Sequence, residues 1–117
     1  MIVVIADDIT GAAEMGGIAI RYGLNTIVAD DLIESDKYEA LVIYTNTRSQ
    51  TALEAAEKMA SLSAKASKTK PSLFYKKTDS VLRGHVLAEM NAQMKAMHLK
   101  KGLLVPINTG VCEKSPL

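Results

Sequence analysis

Two adjacent carboxylates, Asp7 and Asp8, stand where the apolar run Ile2, Val3, Val4, Ile5, Ala6 stops. Burying a charge without a partner is costly, so carboxylates at the end of such a run need water, a cation or hydroxyl groups before them. Thr10 and Gly11 follow directly. Two further clusters share this form. Asn46, Thr47 and Arg48 come after the run ALVIY, and Lys77, Asp79, Ser80 and Arg83 come after LFYK. Together the clusters offer carboxylates and cations beside hydroxyls and an amide. That mixture suits a small polyhydroxylated anion. Arg and Lys take a carboxylate or phosphate, while Asp and Asn accept from hydroxyls. Taken one at a time, each residue reads better as a loop cap or a member of a surface ion pair. Their recurrence at successive run ends points to a site.

The elements that must hold these clusters follow from the apolar pattern. Residues 2–6 are mostly β-branched and too short a run for a buried helix, so they read as a strand buried on both faces, as in a parallel sheet. Residues 25–29, 40–44 and 73–76 read as further strands, and residues 102–105 as a last one before Pro106. A helix is expected over residues 10–22, with Ala12, Met15, Ile18 and Ala19 at helical spacing and Gly23 as its stop. Gly16 and Gly17 inside it permit a close approach to the sheet. A second helix over residues 51–65 presents Leu53, Ala56, Met59 or Ala60, and Ser63, with Glu54 and Lys58 as an outward i, i+4 pair. A third ends near residue 98, and its stripe of Leu87, Met90, Met94 and Met97 is expected in the core. Strands alternating with helices predict an α/β fold: a three-layer α/β/α domain with a mostly parallel sheet of about five strands and right-handed crossovers. In such a sheet the carboxyl ends of the strands share one rim, where ligands bind.

Composition narrows the function classes. A chain of 117 residues, 48% hydrophobic and 23% charged, fits one ordinary globular domain. A net charge of +1 removes the general electrostatic case for nucleic acid. No apolar run is long enough to span a membrane, and no basic segment precedes the first one, so a cytoplasmic protein without a membrane partner is expected. The single cysteine, Cys112, cannot form an internal disulfide, which fits a reducing compartment. Residues 106–117 show no periodicity and read as an irregular tail.

Nucleotide motifs are missing. Gly11 and Gly16 have the spacing of the outer glycines of a P-loop, but Gly17 and Ile18 stand where Lys and Ser or Thr must be. The Asp7–Asp8 pair resembles the acidic pocket of response-regulator receivers. A receiver also needs a phosphoacceptor Asp after its third strand, where this chain has Thr45, Asn46 and Thr47. His85 and His98 lack metal-ligand partners at usable spacing, and read as a turn residue and an exposed helix-end residue.

Three segments, IADDITGAAEMG, YTNTRS and YKKTDSVLRGHVLAE, give the chain a more specific likeness: it resembles the N-terminal, substrate-binding domain of the four-carbon acid sugar kinases. The pattern Lys-x-Asp-Ser-x-x-Arg-Gly, long and ungapped, is the most specific part. The resemblance covers residues 1–105, and residues 106–117 depart from the family pattern. It implies ATP-dependent phosphorylation of the terminal hydroxyl of a small sugar acid such as threonate, erythronate or 3-oxo-tetronate. ATP and Mg²⁺ would be held mainly by a separate C-terminal domain, so no cofactor-binding residue or metal ligand is expected in this chain. Carried over by position, Asp7 and Asp8 would contact substrate hydroxyls. Arg48, Lys77 and Arg83 would answer the carboxylate and the arriving phosphoryl group, with Asp79 and Ser80 completing the pocket. Asp8, Asp79 and Arg83 are the expected catalytic set. Phosphoryl transfer needs positioning and charge neutralisation more than covalent chemistry, which such residues supply. Family members are much longer, so the resemblance also implies a truncated, frame-shifted or fragmentary copy. Such a chain would be inactive by itself, and its uncovered sheet edge would favour self-association. Two other readings fit the same residues: a non-catalytic sugar-acid-binding module and a receiver-like signalling domain.

Overall fold

The computed structural model describes residues 1–106. The expectations for Cys112 and for the tail from residue 107 onward lie outside the described residues. The chain runs β1 (Ile2–Ala6), α1 (Ile9–Arg21), β2 (Thr26–Ala29), β3 (Ala40–Tyr44), α2 (Ala52–Lys68), β4 (Leu73–Lys77) and α3 (Val86–Ala96). The strands form a parallel sheet in the order β2-β3-β1-β4. From β1 the chain travels through α1 to one edge, and from β3 it travels through α2 to the other. Connections of one hand that run in opposite directions place their helices on opposite faces. The core divides accordingly. Val4, Ala6 and Val42 pack with Ala12 and Met15 of α1. Val3, Ile5, Leu41 and Ile43 pack with Met59, Leu62 and Ala66 of α2 and with Ala92 of α3. This is the three-layer α/β fold expected from the alternation, and strand residues one apart serve opposite layers.

Local chemistry sets the helix ends. Thr51 and Glu54 exchange side-chain and backbone hydrogen bonds in a capping box at the start of α2. At the end of α1, Leu24 N–H reaches Ala19 O and Gly23 N–H reaches Ile20 O, with Gly23 at φ 81°. Gly16 does admit a close approach, since a Cβ there would lie 2.8 Å from Val28 Cγ2, whereas Gly17 faces open space.

Several expectations need correction. Residues 102–105 form no strand, and the sheet has four strands among the described residues. Gly102 and Leu103 instead flank a groove beside Met90 and Met94 of α3. Glu54 is used by the capping box and Lys58 Nζ donates to Thr45 O at 2.7 Å, so these two do not pair with each other. On α2 the inward face is Ala55, Met59, Leu62, Ser63 and Ala66, and Leu53 is exposed. On α3 the stripe is only partly covered, with Leu87 73% exposed, and the one fully buried side chain of the helix is Glu89.

Candidate functional site

The connections leaving β1 and β3 part in opposite directions, and these strands are neighbours. A crevice therefore opens outside their carboxyl ends, the usual place for a ligand in an open α/β sheet. Asp7 and Asp8 leave β1 into it. Asp8 is the N-cap of α1, its Oδ1 accepting from Gly11 N–H at 2.8 Å, which turns Oδ2 toward the rim. Asp7 is buried behind it. From β3, the chain enters the left-handed region at Asn46, φ 53°, and delivers Arg48 to the same point. Arg48 Nη2 lies 3.4 Å from Asp7 Oδ1, 3.1 Å from Asp8 Oδ2 and 3.4 Å from Asp79 Oδ1. One guanidinium thus gathers carboxylates from two strand ends.

The segment after β4 is organised by Asp79. Its Oδ2 accepts from the backbone N–H of Val81 at 3.2 Å and of Arg83 at 3.1 Å. The Arg83 guanidinium grips it with two bonds, Nε to Oδ2 and Nη2 to Oδ1, both 2.9 Å. Gly84 follows at φ 87°, and a Cβ there would meet Asp7 Oδ2 at 3.1 Å and Arg48 Cγ at 3.4 Å. The turn can lie over the Asp7–Arg48 pair only because this position is glycine.

The hydrogen bond from Arg83 holds the Asp79 carboxyl far below its ordinary range, against the opposing effect of burial, with the Arg83 and Val81 backbone N–H groups adding to it. Burial works to lower the Arg48 pKa. The hydrogen bond to Asp7 and the charges of Asp7, Asp8 and Asp79 outweigh that, and the net direction is upward. Arg83 is raised by its hydrogen bond to Asp79 and by that residue's charge. Asp79, Arg48 and Arg83 thus stay charged across the neutral range.

In front of this network lies an open cleft of about 530 Å³. Of the residues expected from sequence, Asp8, Arg48, Lys77, Asp79, Ser80 and Arg83 line it, with Thr10 beside them and Asp7 behind Arg48. Lys77 Nζ donates to Thr78 O at 2.8 Å and lies 3.7 Å from Glu14 of α1. Two residues of the sequence clusters go elsewhere. Asn46 is exposed away from the cleft, and Thr47 is buried, its hydroxyl donating to Glu89. Sequence reasoning missed Glu14, Tyr75, Thr78, Val105 and Pro106, which also line the cleft, because nothing in a helix face, an edge strand or a loop marks a wall residue. It also missed the Lys76–Glu89 pair beneath the rim, for which one signal existed: a lysine inside a strand needs a partner if that strand is covered. His85 takes the N-cap position of α3, its ring against Gln50 O. Among the described residues no group of three or more His, Cys, Asp or Glu could hold a metal ion. No helix there is long and apolar enough to cross a membrane.

Chemically, the cleft can grip an anion through Lys77 and Arg83 while Asp8 accepts from hydroxyls. The strand order differs from the 2-1-3-4-5 order of receiver domains, which counts against the signalling reading.

Comparison with known proteins gives a consistent result. Residues 2–109 match the model of the sugar-binding N-terminal domain family. The chain is 32% identical over 101 residues to a D-erythronate kinase of Heliobacterium modesticaldum, covering 82% of this chain and 23% of that one. It is 34% identical over 105 residues to a D-threonate kinase of Salmonella typhimurium, covering 87% and 25%. The chain therefore spans about a quarter of the length of these curated relatives. A domain of unknown function from Bordetella bronchiseptica, solved with bound citrate as a domain-swapped dimer, superposes with a TM-score of 0.76 at 28% identity, over 81% of this chain and 25% of that one. A second crystal form of the same protein gives 0.75. The family match over nearly the whole chain, on a fold with its polar residues gathered at one rim, shows that this chain belongs to the sugar-binding N-terminal domain family of the four-carbon acid sugar kinases.

Proposed function

We propose that this chain is the sugar-acid-binding part of a cytoplasmic, ATP-dependent kinase acting on the terminal hydroxyl of four-carbon acid sugars of the D-erythronate or D-threonate type. The observation that carries this reading is the mixed charge of the rim. Three carboxylates are held around Arg48, while Lys77 and Arg83 border the same cleft. A neutral polyol has no use for the cations, and a simple anion has none for the carboxylates. A hydroxylated acid uses both. In this reading Lys77 and Ser80 take the substrate carboxylate, and Asp8 and Asp79 orient hydroxyls. Arg83, exposed at the mouth, faces the incoming phosphoryl group. ATP would donate the phosphoryl group and Mg²⁺ would neutralise its charge, both held mainly by a separate C-terminal domain. The domain-swapped dimer of the Bordetella relative and the outer edge of β4, with Leu73 and Tyr75 exposed, support self-association of the isolated chain.

Titration calorimetry tests the binding role. D-erythronate or D-threonate should bind, and erythritol or threitol, which lack the carboxylate, should not. Equal heats from acid and polyol, or none from either, would count against the assignment.

A further inference from the structure

A buried polar chain runs beneath the rim on the side away from the cleft. Lys76 Nζ lies 2.7 Å from Glu89 Oε2, with side chains 7% and 2% exposed. Glu89 Oε1 accepts from the Thr47 hydroxyl. The hydroxyls of Thr47 and Thr45 lie 2.9 Å apart, and Thr45 Oγ1 also reaches Ala6 O at 3.2 Å. Lys58 Nζ closes the chain on Thr45 O at 2.7 Å. The Glu89 carboxylate facing Lys76 only accepts, so Thr47 donates to Glu89, and the single proton of the Thr45 hydroxyl then goes either to Thr47 Oγ1 or to the Ala6 carbonyl oxygen. None of these side chains except Thr45 and Thr47 belongs to the segment that leads to Arg48. Between those two sits Asn46 in the left-handed region at φ 53°, a conformation that persists when its surroundings over-determine it. The buried hydroxyls on either side do so.

From this we infer that Glu89, held by Lys76 and acting through Thr47, is a positioning residue that sets where Arg48 stands among Asp7, Asp8 and Asp79. Arg48 follows Thr47 directly, so a hydroxyl anchored from α3 fixes the exit direction of the chain at the arginine. The role of Arg48 in binding rests on the proposed function. Its position does not, and the test separates the two.

Arg48 Nε is buried and has no hydrogen-bond partner among the described residues, so its N–H is a local probe that can be followed by NMR in the ligand-free protein. Thr47→Val removes the hydroxyl at constant shape, Thr47→Ser keeps it, and Glu89→Gln removes the charge. Leu62→Ala, in the core of α2, serves as a control that destabilises the fold without touching the polar chain. Thr47→Val and Glu89→Gln should shift the Arg48 Nε–H signal and speed its hydrogen exchange about tenfold, the scale of one lost hydrogen bond. Thr47→Ser and Leu62→Ala should leave the signal in place. An unmoved signal in Thr47→Val overturns the inference, as does an equal shift in Leu62→Ala. Thr47→Val decides alone if Glu89→Gln does not fold. Failure of the wild-type chain to bind a sugar acid would sink the proposed function and leave this result standing.

Discussion

Lys76 and Lys77 are consecutive residues of β4, and their ammonium groups lie on opposite sides of the sheet in unlike surroundings. Lys76 is in register with Ile5 and faces the α2–α3 layer, where it pairs with buried Glu89. Lys77 is in register with Ala6 and faces the α1 layer, where it borders the open cleft and stands 3.7 Å from half-exposed Glu14. Side chains alternate along a strand, so one residue step exchanges a dry environment for a wet one. On the dry side Lys76, Glu89, Thr47, Thr45 and Lys58 each have a fixed partner, and the arrangement serves shape. On the wet side charges are shared around Arg48 and left partly open to the cleft, where the proposed binding would take place. The same residue type is structural in one place and available to a ligand in the next.

The sharpest way to break this contrast is to remove one partner on the dry side. Lys76→Met leaves Glu89 buried without its cation and should cost about 3–5 kcal/mol of stability in urea unfolding. Lys76→Met combined with Glu89→Leu should recover most of that loss. A single variant that melts like the wild type would show the pair to be solvated.

On the wet side Arg48 is the hub. Arg48→Met should weaken sugar-acid binding about a hundredfold by calorimetry, in line with the loss of one partner from a hydrogen-bonded charge cluster. Undiminished affinity would place the ligand elsewhere.

A smaller effect separates the two sides by pH. The Asp79 carboxyl is held below its unfolded value of about 3.9. Its contribution is complete above that value and is lost as pH falls through it toward the folded value. Urea midpoints between neutral and strongly acidic pH should show the wild type losing about 1 kcal/mol more than Asp79→Asn, a figure kept low because Arg83 is largely exposed. Parallel curves for the two proteins would remove Asp79 from the account.

Lys77→Met should then cost under about 0.5 kcal/mol of stability, since its partner Glu14 is exposed. It should still lower sugar-acid affinity about tenfold, the scale of one charge-assisted hydrogen bond. A stability loss comparable to that of Lys76→Met would erase the difference between the two lysines. Smallest of all, Lys68→Ala at the exposed end of α2 should change stability by less than about 0.5 kcal/mol and leave binding untouched. A measurable loss of binding there would enlarge the site beyond the rim.

The strands and helices were legible because their signals are local. β1 and β3 are continuous apolar runs, α1 stops at a glycine that takes φ 81°, and α2 opens on a Thr–Glu capping box. The polar clusters were legible for the same reason, since a carboxylate or cation ending an apolar run is visible without coordinates. Their gathering at one rim followed from parallel strands alone. Where each side chain goes was decided only by packing. Thr47 sits in the cluster YTNTRS beside Arg48, yet it turns inward while Arg48 turns out, because the left-handed Asn46 between Thr45 and Thr47 redirects the chain. Residues 102–105 have the composition of a strand, but residues 102–104 border a groove shared by α3 and β4, Val105 borders the cleft, and none of them forms a ladder with β4. The apolar stripe of α3 pointed to Met90 and Met94, while the helix buries Glu89, because Lys76 comes from another strand and a helix read alone cannot know that a cation waits across the interface. Local sequence determines which elements form and which residues end them. The partners of buried charges are set by segments distant in the chain, and only the folded arrangement brings those together.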